Sequence, residues 1–321
     1  MRPGRRRKHP FPPLSFASFA ALAFAAGVAA CSGPPPAAPD QTGAAPAPSL
    51  AVTAPLVLAW PARAPAGDDP RGRAGVTLVF ATAGGDGDPP VRHISPVISG
   101  EIKLTPSIAG SIDWGMSHTS YPGPSSGENS HLGPNNPLFA VRSTLLDGRS
   151  LTLRGSFGVA APLAFRAGSL SDRVTADLGY SMAARARGFM DPWAWSLNTV
   201  SLVNRWSAEK KLTSRLALGG YAAVAALLPI SEPIATTRGV FQARAEVTYA
   251  IAILKPGLAA QLSTSSRPLA AADFTAFSLE PFLEVEARKS FARLGLVLNL
   301  GAPGDAAVAP FGFQVGGGAP F

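Results

Sequence analysis

Three histidines beyond the first thirty residues are candidates for acid–base or metal chemistry: His93, His118 and His131. In His118-Thr119-Ser120 an imidazole lies close in sequence to a hydroxyl, the pair that nucleophilic catalysis uses. Residues 118–137 are rich in Pro, Gly and Ser, which predicts a loop too irregular to hold that pair rigidly. No G-x-S-x-G motif is present, and the histidines lack the spacing of metal ligands. We therefore predict no catalytic residue, no metal and no cofactor.

Charged residues that alternate with apolar ones are the better candidates for a specific site. Pairing two runs about a turn at Lys289-Ser290 would place Glu286 opposite Arg293 and Glu280 opposite Asn299, and such pairs stabilise a sheet by about 0.2–1 kcal/mol each. The nine charges predicted to share one polar face are Arg142, Arg154, Arg244, Glu246, Glu280, Glu284, Glu286, Arg288 and Arg293. They would form either a structural network or a charged constriction that selects solutes.

Strands that alternate at every second position must carry these charges. From Arg92 to Leu104, Ile94, Ile98 and Ile102 face one side, while His93 and Glu101 face the other. The same alternation recurs in residues 107–117, 151–159, 241–251, 277–288 and 293–300. Runs of about ten residues match the length of strand that crosses an outer membrane.

Short and long connections between these runs follow one another in strict order. Tight turns are predicted at Thr105-Pro106, Asp147-Gly148, Lys210-Lys211, Lys255-Pro256 and Lys289-Ser290. Longer polar loops are predicted at 84–91, 118–137, 162–196, 228–238, 265–273 and 301–307. With Val76–Thr82 as the first strand and Val308–Gly316 as the last, the count is about twelve. The prediction is an all-β fold: a transmembrane, antiparallel, up-and-down β-barrel with both termini on the periplasmic side.

Composition agrees with a barrel and argues against other classes. The chain is 46% hydrophobic and only 15% charged, yet no run beyond residue 30 is long and apolar enough for a transmembrane helix. With 33 glycines and 32 prolines, it does not suit a helical protein. Five basic residues among positions 2–8 would leave with a signal peptide, lowering the formal net charge from +8 to +3. The remaining basic residues form no stripe, so we predict no nucleic-acid partner.

The first 74 residues are predicted to be targeting signal and tether. A basic segment and an apolar stretch, Leu14–Ala30, predict a signal peptide over residues 1–30. Val28-Ala29-Ala30-Cys31 resembles the lipobox of bacterial lipoproteins, which implies acylation of Cys31; ordinary cleavage leaving a free thiol is the alternative. Residues 31–74 are rich in Pro and Ala, which predicts a disordered periplasmic tether ahead of a barrel over 75–321.

The C-terminal segment alternates up to the last residue, with Phe311, Phe313 and Val315 ahead of Phe321. It resembles the C-terminal signal of outer-membrane proteins, which ends in an aromatic residue. Together with the alternation and the order of turns and loops, this makes the chain similar to bacterial outer-membrane β-barrel proteins of the transporter-like or uncharacterised class. The resemblance implies an outer-membrane location, lipid contact and insertion by the barrel-assembly machinery.

One region departs from the strand pattern. Leu170, Val174, Leu178 and Met182 recur every four residues, so Leu170–Arg187 predicts a helix within an extracellular loop. The aromatic cluster Phe189–Trp195 favours a position at the membrane interface, where Trp residues collect. A ligand-stacking loop folded into the barrel mouth is the alternative.

Three functions are compatible with these features. We favour a channel or uptake protein for small solutes; a structural or adhesive surface barrel with a plugged lumen is the alternative. A membrane-embedded hydrolase, as in some outer-membrane phospholipases, is the third hypothesis, although the motifs of those enzymes do not match. The oligomeric state is left open by the sequence.

Overall fold

The computed structural model describes residues 71–83, 91–122, 128–165, 170–230, 237–266, 275–287, 290–300 and 311–320. The predicted signal peptide, Cys31, Arg288 and Phe321 lie outside the described residues. The strands are β1 Gly72–Ala83, β2 Val91–Lys103, β3 Ile108–Pro122, β4 Glu128–Pro134, β5 Leu138–Asp147, β6 Leu151–Ala160, β7 Thr199–Lys211, β8 Leu216–Pro229, β9 Arg238–Tyr249, β10 Leu254–Ser265, β11 Thr275–Ala287, β12 Ser290–Asn299 and β13 Phe311–Pro320. The helices are α1 Leu170–Ala186 and α2 Pro192–Trp195.

Twelve of these strands close into an antiparallel ring. β1 pairs with β2 on one side and with β13 on the other, so the first and last strands of the barrel are neighbours. The predicted count of about twelve is confirmed. β1 begins at Gly72, ahead of the predicted start of the barrel at residue 75.

The short strand β4 lies outside this ring. Because it pairs with β3, the prediction of a loop over residues 118–137 was wrong. β3 pairs with β5 over Ile108–Asp113 and with β4 over Met116–Pro122. β4 therefore pairs with the part of β3 that extends beyond the first residue of β5. His118-Thr119-Ser120 belongs to a strand rather than to a loop. The Pro and Gly content of this segment was misleading because strand pairing supplies the order that local composition lacks.

Side chains alternate between the lumen and the outer surface. In β9, Gln242, Arg244 and Glu246 are buried, whereas Ala245 and Val247, which alternate with them, are exposed. Exposed large apolar side chains recur on the outer faces of the other strands. This inside-out distribution is that of a barrel whose outer surface contacts lipid.

Replacing Val224 by Arg tests the lipid-facing surface. Val224 lies in the middle of β8 with its side chain exposed, and we expect Val224→Arg to lower the free energy of unfolding in lipid vesicles by ~2–4 kcal/mol. Leu212→Arg, at an equally exposed site beyond the end of β7, is the control and should cost ~0–1 kcal/mol. Equal losses at the two positions would contradict a membrane-spanning β8.

The tight turns lie at one end of the barrel, which we call the periplasmic end. Thr105-Pro106 and Asp147-Gly148 lie at turns as predicted. Lys210 and Lys211 instead end β7, and the turn follows them. The Lys255-Pro256 prediction was also wrong: both residues belong to β10, and Ala252 at φ 54° makes the turn ahead of them.

The register between β11 and β12 also differs from the prediction. Glu284, not Glu286, lies opposite Arg293, and Ser278 lies opposite Asn299. Because Ala287 pairs with Ser290, the connection consists of residues 288–289 rather than Lys289-Ser290. Moving the turn by one residue changes the partners but keeps every side chain on its predicted face.

The connection from β6 to β7 contains the predicted helix, but this helix lies inside the barrel. Met182 and Ala186 of α1 pack against Val79 and Ala81 on the inner face of β1. We call residues 161–198 the inserted segment. Among the described residues, no helix is long and apolar enough to cross a membrane.

Candidate functional site: the barrel lumen

Two lumen-facing amides hold the inserted segment. Asn136 donates to the carbonyl oxygens of Trp193 and Ser196, at 2.9 and 2.7 Å, and accepts from the amide of Ala164 at 2.7 Å. Asn136 is 1% exposed. Because one side chain binds both ends of the inserted segment, it closes that segment into a loop beneath the barrel mouth.

The second amide, Gln242 on β9, holds the tip of the same segment. It donates to the carbonyl oxygen of Phe189 at 2.8 Å and accepts from the amide of Asp191 at 3.2 Å. Both Phe189 and Asp191 have positive φ, near 60° and 56°, a conformation that non-glycine residues adopt only where surrounding contacts compensate the strain. Gln242 supplies two of those contacts.

Close backbone contacts add to these hydrogen bonds. Asn299 donates to the carbonyl oxygen of Arg185 at 3.0 Å. At Gly312 of β13, any Cβ would collide with the carbonyl of Ala186, so only glycine allows the helix end to lie this near the wall. The inserted segment is thus seated against strands on different sides of the lumen.

The aromatic cluster of this segment is buried in the lumen, so its predicted position at the membrane interface was wrong. Trp193 is 1% exposed and packs with Met190, Leu138, Val203 and Tyr221. Trp195 packs in a second cluster of buried residues, together with Tyr180 of α1. A cluster of aromatic residues does not distinguish a segment at the membrane interface from one packed inside the barrel, since the rings can bury their apolar faces in either place.

A buried ion pair lies at the turn between the two helices. Arg187 contacts Asp191 at 2.9 Å, and its guanidinium lies 5.7 Å from the ring of Trp195. Burial raises the pKa of the Asp191 carboxyl above its usual value, and Arg187 opposes that rise only in part. The pair therefore contributes specific geometry to the inserted segment more than it contributes stability.

Four of the nine predicted lumen charges meet in one buried cluster, which we call the ion cluster. Arg244 contacts Glu280 at 2.7 Å and Glu246 at 3.1 Å. Arg293 contacts Glu280 at 3.0 Å and Glu246 at 3.6 Å. Gln261 donates to Glu280 at 2.9 Å, and the charged side chains are at most 6% exposed. Two arginines thus balance two carboxylates on the wall formed by β9 to β12.

Glu284 and Glu286 have a partner that the sequence analysis missed. The ammonium of Lys255 lies 3.7 Å from Glu284 and also contacts Glu286. Lys255 is 2% exposed, although it was predicted to lie in a turn. Its position within the alternation of β10 was the signal that could have identified it.

The remaining predicted arginines, Arg142 and Arg154, lie on the opposite wall. Arg142 pairs with Glu101 at 2.6 Å. Arg154 lines the same cavity as Arg142 and makes no ion pair among the described residues. Arg205 of β7, which the sequence analysis did not single out, pairs with Asp113 at 3.3 Å.

Two cavities meet at Arg205. The upper cavity, with about 620 Å³ of atom-free space including open solvent, is lined by Arg187, Asp191, Trp193 and Asp113 together with Arg205. The lower cavity, about 270 Å³ on the same measure, is lined by Arg142, Arg154, Arg205, Ser156, Ser207, Tyr221 and two further residues of β6 and β7. Arg205 is thus the residue that the linings of the two cavities share.

His93 and His131 lie on either side of Thr119 in the register of β2, β3 and β4. His93 hydrogen-bonds Thr119 at 2.8 Å, and the ring of His131 lies 5.5 Å from that of Tyr180. His118 pairs in register with Ile94, one position along from His93 and Thr119. Within the described part of the chain, no three His, Cys, Asp or Glu side chains are grouped to hold a metal.

Removing the Asn136 amide tests the seating of the inserted segment. Asn136→Ala deletes three hydrogen bonds worth about 0.5–1.5 kcal/mol each, so we expect faster amide hydrogen exchange in residues 189–197. Asn204→Ala makes the same change on the exposed side of β7 and should leave that exchange unaltered. Unchanged protection in Asn136→Ala would show that packing alone retains the segment.

The closed antiparallel ring, the apolar outer surface and the polar lumen define a bacterial outer-membrane β-barrel protein. Structural comparison agrees with that class. The chain is similar to the COG4313 outer membrane channel from Pseudomonas putida F1, with 14% identity and a TM-score of 0.52 over 80% of this chain and 97% of that one.

Two porins are similar to the chain at lower TM-scores. The NanC porin has 8% identity and a TM-score of 0.49, over 77% of this chain and 100% of that one. The KdgM porin, solved in complex with disordered oligogalacturonate, has 6% identity and a TM-score of 0.43, over 77% and 99% of the two chains. The sequence matches no protein-family model and no curated protein.

Proposed function

We propose that this protein is an outer-membrane channel for small solutes, narrowed by its inserted segment. The observation that carries the proposal is the meeting of two cavities at Arg205. A lumen that served only as a core would be packed to the density of a protein interior. Here charged and hydroxyl side chains line two small cavities that share one arginine.

The distribution of packing within the lumen supports a narrow pathway rather than a wide pore. The inserted segment fills one part of the barrel with Met182, Trp193 and other buried apolar side chains. The ion cluster occupies the wall formed by β9 to β12. Solutes would therefore pass along the wall formed by β3 and β5 to β8, past Asp113, Arg142 and Arg205. Similarity to a solved outer membrane channel is consistent with this function.

A plugged surface barrel is the second candidate. Its supporting observation is the seating of the inserted segment by Asn136 and Gln242 together with the burial of Trp193. If this segment never moves and the cavities never join, the barrel would present its outer loops and conduct nothing. The two candidates differ in one measurable property, which is permeation.

Swelling of proteoliposomes separates the two candidates. Liposomes carrying the refolded full chain should swell quickly in glycerol, more slowly in glucose and not in a trisaccharide, because the lumen is constricted. Liposomes with heat-unfolded protein serve as the control. Absence of swelling in every solute, with the protein shown to be folded by heat-modifiable gel migration, would reject the channel and favour the plugged barrel.

A further inference from the structure

The lower cavity has an unbalanced charge. Three guanidinium groups, those of Arg142, Arg154 and Arg205, line it, and within the described part of the chain no carboxylate does. Glu101 and Asp113 pair with Arg142 and Arg205 from outside that lining. Arg154 makes no ion pair among the described residues. Arg154 is therefore the one guanidinium group of this lining without an ion-pair partner among the described residues.

A buried hydroxyl points to the same cavity. Tyr221 is 5% exposed and lines the cavity, yet its hydroxyl has no hydrogen-bond partner among the described residues. A buried polar atom without a partner costs about 1–3 kcal/mol, so such atoms ordinarily bind something. Ser156 and Ser207 line the cavity as well and place two further hydroxyls near the arginines.

We infer that the lower cavity is a binding site for small oxyanions, carboxylates or phosphates, on their way through the channel. Guanidinium groups bind two oxygens of such anions at once, which gives both affinity and orientation. The Tyr221 hydroxyl would donate to a further oxygen. This inference rests on the proposed channel function, since it names the class of solute that the channel prefers.

The ion cluster on the opposite wall differs from the lower cavity in its balance of charges. In the ion cluster each arginine already contacts two carboxylates, Glu246 and Glu280. Those arginines have no spare charge to offer a solute. The lining of the lower cavity thus differs from the ion cluster, because it brings three guanidinium groups together without a carboxylate among the described lining residues.

Current block by added anions tests the inference in planar bilayers. In a potassium chloride gradient, the wild-type reversal potential should show preference for anions. Inorganic phosphate or pyruvate should reduce the chloride current. The anion that blocks more strongly shows whether the site prefers phosphates or carboxylates. Arg154→Gln should weaken that block about tenfold, the loss expected for one charge-assisted contact. Tyr221→Phe should weaken it less, since it removes only a neutral donor.

Two further variants separate recognition from overall charge. Arg215→Gln removes one positive charge from an exposed position beyond β7 and should leave the block unchanged. Arg154→Lys keeps the charge but not the fork of donors, so it should retain anion preference while weakening the block. Equal effects of Arg154→Gln and Arg215→Gln would overturn the site.

A binding measurement without conduction distinguishes this inference from the channel itself. Phosphate should raise the unfolding temperature of the full chain in micelles, relative to chloride at equal ionic strength, and Arg154→Gln should abolish the rise. A rise without any current would reject the channel and keep the anion site. Current without block and without a rise would overturn the anion site and keep the channel.

Discussion

Replacement of residues 162–198 by a short Gly-Ser linker is expected to raise the single-channel conductance severalfold. Ala160 and Ser201 are paired neighbours on β6 and β7, so about four linker residues can join the two strands. The replacement removes the helices α1 and α2 and with them Trp193, Met190 and Met182, which fill the lumen. The barrel wall keeps all of its strand pairings, because no strand of the ring lies within the deleted range.

The control for this variant is the same linker placed at the other end of the barrel. Inserted into the turn between β7 and β8, which holds Thr213 and Arg215, it should leave conductance unchanged. Both variants must show heat-modifiable migration. A folded deletion variant with wild-type conductance would show that the inserted segment does not limit the pathway.

Replacing Glu280, at the centre of the ion cluster, is expected to cause a large loss of stability. This carboxylate contacts Arg244 and Arg293 and accepts from Gln261, and its side chain is 1% exposed. Glu280→Ala would remove one carboxylate contact from each of two buried guanidinium groups. We expect a loss of ~3–5 kcal/mol in the free energy of unfolding, measured by urea titration in lipid vesicles.

Asp147→Asn provides the matched control for that loss. Asp147 lies at the exposed end of β5 and accepts only a long hydrogen bond of 3.3 Å from Thr152. Its substitution should change the free energy of unfolding by less than ~1 kcal/mol, as is typical of exposed charges. If Glu280→Ala cost no more than Asp147→Asn, water rather than protein would be solvating the ion cluster.

The architecture could be predicted because one physical rule acts along every strand. In β9, Gln242, Arg244 and Glu246 alternate with apolar residues because one face meets the lumen and the other lipid. The order of short and long connections then required an even count. Both constraints depend only on local sequence, so they were sufficient to predict the ring of twelve strands.

The inserted segment could not be predicted in the same way. Its place depends on Asn136 and Gln242, which lie 57 and 53 residues from the carbonyl groups of Trp193 and Phe189 that they bind. No local pattern encodes such partners. The helix itself followed from its four-residue period, whereas its position inside the barrel followed from these distant contacts.

Strand register and long-range pairing explain why some partners of the lumen charges were predicted wrongly or missed. A turn shifted by one residue placed Glu284 rather than Glu286 opposite Arg293. Lys255 was missed because lysine beside proline suggested a turn, although its burial between carboxylates overrides that preference. Arg205 and Asp113 are separated by 92 residues and meet only because the barrel closes.

Single-channel recording of the unaltered full chain in planar bilayers tests the central claim most directly. Two cavities that share Arg205 in their linings predict discrete current steps of small amplitude, with preference for anions. Folded protein that inserts into the bilayer but gives no current steps would contradict the channel, and the inserted segment would then be a permanent plug.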